Sequence, residues 1–182
     1  MQSKRYALVA YVKSETGEFT ERLGRELHPG SSHLAAHLTI LPPRLLPETE
    51  SSALQWIQKV CGQSAPFSVV LGEVETFLPT TPTVYIRVTQ SAEHMRELHR
   101  RLNTGALAFD EEWPYVPHLT LAKLDDDAAA QAAAGLAEHR WAAFPGTRVV
   151  HITQLTFVRE DSPNQWSDLA PIPLGPAWGG NC

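Results

Sequence analysis

The tetrapeptide HLTI begins at residue 37 and HLTL at residue 118, so a chain of 182 residues writes nearly the same four residues twice, 81 positions apart. A second landmark keeps almost the same period, since ETFL (75–78) falls on LTFV (155–158) at an offset of 80. Two landmarks at nearly one offset are the mark of a duplicated unit, which restricts the fold to two similar lobes. The segments between them agree. An apolar run at 6–12 reads as a strand, and 18–28 as a helix carrying Phe19, Leu23 and Leu27 at four-residue spacing; AHLTIL is the next strand. PETESSALQWIQKVCG is a helix with acids at its front, Leu54, Ile57 and Cys61 on one stripe and glycine at its end. FSVVLGEVETFL (67–78) is a long strand closed by the turn residues PTTP.

The second half repeats the order. TVYIRV (83–88) is a strand, a helix from Ser91 carries Met95, Leu98 and Leu102, PHLTLAKL is a strand, 126–141 a helix and TRVVHITQLTFVRE a strand. Strand, helix, strand, helix, strand therefore occurs twice, over about 6–78 and 83–159, within one domain; 163–174 adds a last strand and 175–182 reads as a loose tail.

Strand geometry turns the repeat into chemistry. Residues two apart face the same way, so His37 and Thr39 share one face and Leu38 and Ile40 the other; His118 and Thr120 stand likewise against Leu119 and Leu121. If the lobes pack about a pseudo-twofold axis, the two imidazole–hydroxyl pairs meet across a cleft. In-line displacement at a phosphodiester needs a base for the nucleophile and an acid for the leaving oxygen, and two opposed histidines supply both. The threonine hydroxyls can donate to the non-bridging oxygens, and no metal is required. Eight histidines and fourteen threonines predict less than one HxT by chance, yet three are present. The third, His151 to Thr153, falls out of the repeat register, His151 lying on Leu71, and is read as structural or surface.

HLTILPPR (37–44) and YVPHLTLAKL (115–124) resemble the two signature strands of the two-histidine (2H) phosphoesterases, in their 2′-5′ RNA ligase-like (LigT-like) branch, and the resemblance runs from about Tyr6 to Arg159. It implies a bilobal α+β fold with two antiparallel sheets around a central cleft. It also implies metal-independent hydrolysis of 2′,3′-cyclic phosphates or 2′-5′ linkages, with reversible 2′-5′ RNA ligation in some members. By position His37, Thr39, His118 and Thr120 carry over as catalytic residues. Several relatives place arginine or tyrosine five residues after the second histidine, where this chain has Lys123; lysine keeps the charge but loses the bidentate fork. Strict alternation also puts Lys123 on the face opposite His118, so contact with substrate needs a bulge or the strand's end.

Lys123, Arg44 after the PP turn, Tyr11 and Tyr115 are the expected substrate-binding residues; Tyr85, Trp113 and Trp166 are further aromatics a base could use. Asp125 to Asp127 suit the start of an alanine-rich helix better than a cation. His94 and His99 lie on a polar helix and His28 and His33 in a loop region, five positions apart within each pair, so neither pair has the HxH or HxxxH spacing that suits zinc. No metal or cofactor is therefore expected. The rival readings are a metallohydrolase ligated by His37 and His118, and a nucleotide- or RNA-end-binding module without turnover.

Composition narrows the partner. With 20 Asp and Glu against 15 Lys and Arg, a formal charge of −5, the chain lacks what tracking a long nucleic acid requires. A small nucleotide, or an RNA end bearing a cyclic phosphate or 2′-5′ linkage, fits a local site, and the protein is expected to be a monomer. The apolar run from Tyr6 to Val12 is too short for a membrane span and lacks a cleavage pattern, and Cys61 and Cys182 form neither a CxxC nor a disulfide framework. A reducing cytoplasm without a membrane partner is the expectation.

Overall fold

The structure, a computed structural model, describes residues 4–31 and 34–175. Eight strands and four helices run in the order β1 (Tyr6–Tyr11), α1 (Glu15–Leu27), β2 (His37–Arg44), α2 (Glu50–Gly62), β3 (Phe67–Thr76), β4 (Thr83–Gln90), α3 (Ala92–Leu102), β5 (His118–Lys123), α4 (Asp127–Ala143), β6 (Val149–Ile152), β7 (Gln154–Ser162) and β8 (Gln165–Pro173). Local chemistry explains the helix starts. Ser14, Thr49 and Asp126 sit in extended conformation ahead of α1, α2 and α4, and each side chain accepts an orphan N–H of the first turn, Asp126 from Ala129 at 2.8 Å.

All pairings are antiparallel, in the order β6-β3-β4-β5-β2-β1-β7-β8. The expected two sheets are thus two four-stranded halves, joined between β5 and β2 by the single registered pair Leu38↔Leu119. Sequence repeat and sheet half do not coincide. β1 and β2 stay together, as do β4 and β5, but the third strand of each repeat crosses over: β3 pairs with β4, and β7 pairs with β1. The helices follow the exchange, α1 and α4 packing on the half that holds β5, α2 and α3 on the half that holds β2.

One face of the sheet is buried beneath the helices. Leu8, Leu38, Ile40, Ile86, Leu119 and Phe157 meet Leu23, Ile57, Met95 and Ala130 in a single apolar core. Burying each such side chain stabilises by roughly 1.5–3 kcal/mol, and it fixes which face of β2 and β5 looks outward.

The segment 147–160, expected as one strand, is two. Val150 and Ile152 point into the core in β6, Leu155 and Phe157 do so in β7, and the alternation slips by one residue at Thr153, where the chain leaves one sheet half for the other. The last strand is present as β8, while residues 176–182, with Cys182, and His33 lie outside the described residues. Among the described residues no helix is long and apolar enough to cross a membrane.

Candidate active site

The register at the junction of the halves assembles the site. With Leu38 opposite Leu119 in an antiparallel pair, His37 stands across from Thr120 and Thr39 across from His118. The two leucines are 0% and 1% exposed in the core, so the four polar side chains share the opposite face, all half-buried. The four side chains thus gather around the one contact between the strands, the place for a group the size of a phosphate.

Each imidazole is oriented by its own strand. His37 Nδ1 is 2.7 Å from the Ala35 carbonyl and His118 Nδ1 is 2.6 Å from the Val116 carbonyl, the residue two positions earlier in both cases. A carbonyl only accepts, so Nδ1 carries the hydrogen and Nε2 remains for proton exchange. The backbone beneath is pinned too: Val12 N–H donates to Ala36 O at 2.8 Å, and Val88 N–H to Pro117 O at 3.1 Å. Here the repeats differ. Ala36 has an N–H to satisfy and donates it to Glu21 at 2.8 Å, whereas Pro117 has none and needs no carboxylate.

Burial holds both imidazoles below histidine's ordinary pKa, the backbone acceptor at Nδ1 opposes this, and the Lys123 ammonium lowers both further; His37 also lowers His118 by repulsion. A proton on His37 thus disfavours a second on His118.

Lys123 reaches the site because β5 is bulged. Tyr85 pairs with Thr120 but Val84 with Ala122, so Leu121 is the extra residue and Lys123, opposite Thr83, returns to the face of His118. The backbone there is held from below: a Cβ on Gly24 of α1 would stand 2.6 Å from the Leu121 carbonyl, and His28 Nδ1 meets the Lys123 carbonyl at 2.8 Å. β2 carries the same bulge at Ile40, between Val9↔Thr39 and Leu8↔Leu41, but Pro42 occupies the position matching Lys123. At this strand position one repeat has an ammonium and the other a proline.

The other expected binding residues separate. Tyr11 lies beside His37, rings 6.5 Å apart and edge-on, its hydroxyl donating to Asp168 at 2.6 Å; burial and that bond push its pKa well up. Tyr115 is a strut, its hydroxyl donating to the Thr39 carbonyl at 2.8 Å and its ring stacked on His99 at 4.0 Å. Arg44 does not lean over the cleft. It is 1% exposed, donates to Pro42 O, Asn103 Oδ1 and Leu107 O, and is ion-paired with Glu111. Trp113 is exposed, and Trp166 packs beside Ala7, Val9 and Val158. His151 is exposed on the edge strand β6, its Nδ1 2.6 Å from Ser68 Oγ.

Sequence reasoning missed Phe77, Glu75 and Arg87 near His118. Arg87 sits opposite His118 in β4 and is bound at 2.8 Å by Glu75, which also accepts from Tyr85 at 2.9 Å. A signal existed for Phe77: it is the aromatic residue of the ETFL landmark, just past the end of β3.

The fold has counterparts among known proteins. The family model described as the 2′-5′ RNA ligase superfamily matches residues 12–164. The chain belongs to this superfamily. A curated protein named "Putative phosphoesterase" from Oceanobacillus iheyensis is 26% identical over 120 residues, covering 65% of this chain and 70% of its own length. The crystal structure of E. coli LigT in apo form superposes with a TM-score of 0.64 at 17% identity, covering 94% of this chain and 98% of that one. TT0787 of Thermus thermophilus superposes at 0.56, also at 17% identity, covering 94% and 98%. These likenesses establish the α+β fold of the LigT-like proteins for this chain.

Proposed function

We propose that the protein is a metal-independent phosphodiesterase acting on 2′,3′-cyclic phosphate ends or 2′-5′ linkages of nucleotides and short RNA. The observation that carries the reading is the square of His37, Thr39, His118 and Thr120, with both Nδ1 atoms bound to carbonyls and both Nε2 atoms free to exchange protons. One neutral imidazole takes a proton from the attacking water, or from a hydroxyl in the reverse ligation. As the phosphorus–oxygen bond breaks, the protonated imidazole delivers its proton to the leaving oxygen. Thr39 and Thr120 donate to the non-bridging oxygens, and Lys123 offsets the charge they carry. Structures of E. coli LigT with 3′-AMP and with ATP support a ligand of nucleotide size. The donors present, two imidazoles with hydroxyls and an ammonium, make a poor cation site, and among the described residues no three His, Cys, Asp or Glu side chains group as ligands.

The test is turnover of a 2′,3′-cyclic mononucleotide with and without excess EDTA. Undiminished activity in chelator is expected; loss restored by zinc would overturn the reading in favour of a metallohydrolase. The pH profile adds a second check. kcat/KM requires one imidazole neutral and one protonated, giving a bell. Since burial lowers both, both limbs should fall below the ordinary histidine value of 6.5. Lys123→Met removes a cation that disfavours the imidazolium form, so the whole bell should move to higher pH while KM rises. A profile that stays in place would remove Lys123 from the site's electrostatics.

A further inference from the structure

The two sides of the His/Thr square differ in what they offer a nucleoside. On the His118 side, Phe77 stacks on Tyr85 with ring centroids 4.0 Å apart and planes 26° apart. His118 lies 4.9 Å from Phe77 and 5.1 Å from Tyr85, steeply inclined to both. Those nearly equal distances place the imidazole beside the stack rather than above Phe77, because a ring on the outer face of Phe77 would lie much farther from Tyr85. One face of Phe77 therefore covers Tyr85, which is 2% exposed, while Phe77 itself stays half-buried. Neither ring joins the apolar core or the small cluster of Ala7, Val9 and Val158.

Among the described residues the His37 side has no such stacked pair. The residue facing Thr39 across β1 is Val9, in the position Tyr85 takes opposite Thr120. The repeat counterpart of Phe77 is Phe157, which is 1% exposed and stacked on Tyr6 within the core. Tyr11 stands nearly perpendicular to the His37 ring, ties its hydroxyl to Asp168 and carries the Lys13 ammonium 5.6 Å from its ring centroid. An aromatic ring that is half-buried, outside the core, backed by a second stacked ring and adjacent to a catalytic imidazole is a platform for a flat ligand.

We propose that Phe77 is the specificity residue for the nucleobase: the base of the nucleoside bearing the phosphate stacks on its outer face, seating that nucleoside on the His118 side and leaving the His37 side to the smaller group. This rests on the phosphodiesterase reading. Stacking is sequence-tolerant because every base has a π-face, so the platform discriminates nucleotide from sugar phosphate rather than one base from another.

The experiment measures the preference for nucleotide over abasic ligand. Equilibrium binding of 3′-AMP and of ribose 3-phosphate is compared in wild type, Phe77→Ala and Phe77→Trp, alongside turnover of 2′,3′-cyclic AMP and of the corresponding abasic ribose 2,3-cyclic phosphate. Phe77→Ala should cut the nucleotide preference about tenfold or more, the weight of one base–aromatic stack, and Phe77→Trp should keep or raise it. A preference unchanged in Phe77→Ala, or equal losses for both ligands, would overturn the proposal. The binding arm separates the two readings: wild type that binds 3′-AMP with the Phe77-dependent preference yet turns over neither cyclic phosphate overturns the enzyme reading and sustains the platform. Wild type that hydrolyses both with no preference does the reverse, and wild type that binds neither ligand overturns both.

Discussion

His37→Ala and His118→Ala should each lower kcat/KM for a 2′,3′-cyclic nucleotide at least about 100-fold, the ordinary reach of general acid–base catalysis. The size follows from the geometry. Each imidazole stands on its own strand, opposite the threonine of the other strand, and neither can take over its partner's role because attack and departure lie on opposite sides of phosphorus. The two losses should not add. Once one proton transfer is gone the concerted step is gone, and the double variant should fall little below the worse single variant. His151→Ala is the control, since that imidazole is exposed on edge strand β6 and bonded to Ser68, outside the square. Steady-state rates with the three variants decide the matter; equal losses in all three would mean the repeat register had selected the wrong pair.

Much of the site was legible because the repeat acts on two faces at once. Leu38 and Leu119 had to be buried, and burying them commits His37, Thr39, His118 and Thr120 to the open face whatever the rest of the chain does. The exchange of β3 and β7 between sheet halves was not legible, because strand pairing is a tertiary choice and both strands carry the same alternation. The break at Thr153 left a trace that could have been read: Val150 and Ile152 are even, Leu155 and Phe157 odd. Lys123 shows the limit of alternation as a rule. One extra residue at Leu121 reverses its face, and what makes room for that bulge is Gly24, far away in sequence on α1.

Arg44 is the plainest case of a functional-looking residue with a structural place. Following two prolines it reads as a loop cation, but its partners Asn103 and Glu111 are 59 and 67 positions away and nothing local announces them. Its burial makes a large effect on stability predictable. Desolvation lowers the Arg44 pKa and the Glu111 carboxylate works against this, so the guanidinium stays charged in the core on the strength of one anion. Glu111→Ala would leave it among neutral acceptors, Pro42 O, Leu107 O and Asn103 Oδ1. Removing one member of a buried pair costs about 3–5 kcal/mol. The same carboxylate accepts from His99 Nε2 at 2.9 Å, and His99 stacks on the ring of Tyr115, whose hydroxyl donates to Thr39 O, so disorder there would reach the square as well. Replacing both charges, Arg44→Met with Glu111→Leu, removes the uncompensated ion and should recover most of the loss, as apolar replacements of buried pairs commonly do. Urea unfolding of the three proteins measures this directly. A loss under about 1 kcal/mol in Glu111→Ala, the scale of a surface pair, would show that water reaches Arg44 and that the pair does not hold β2 to the segment leading into β5.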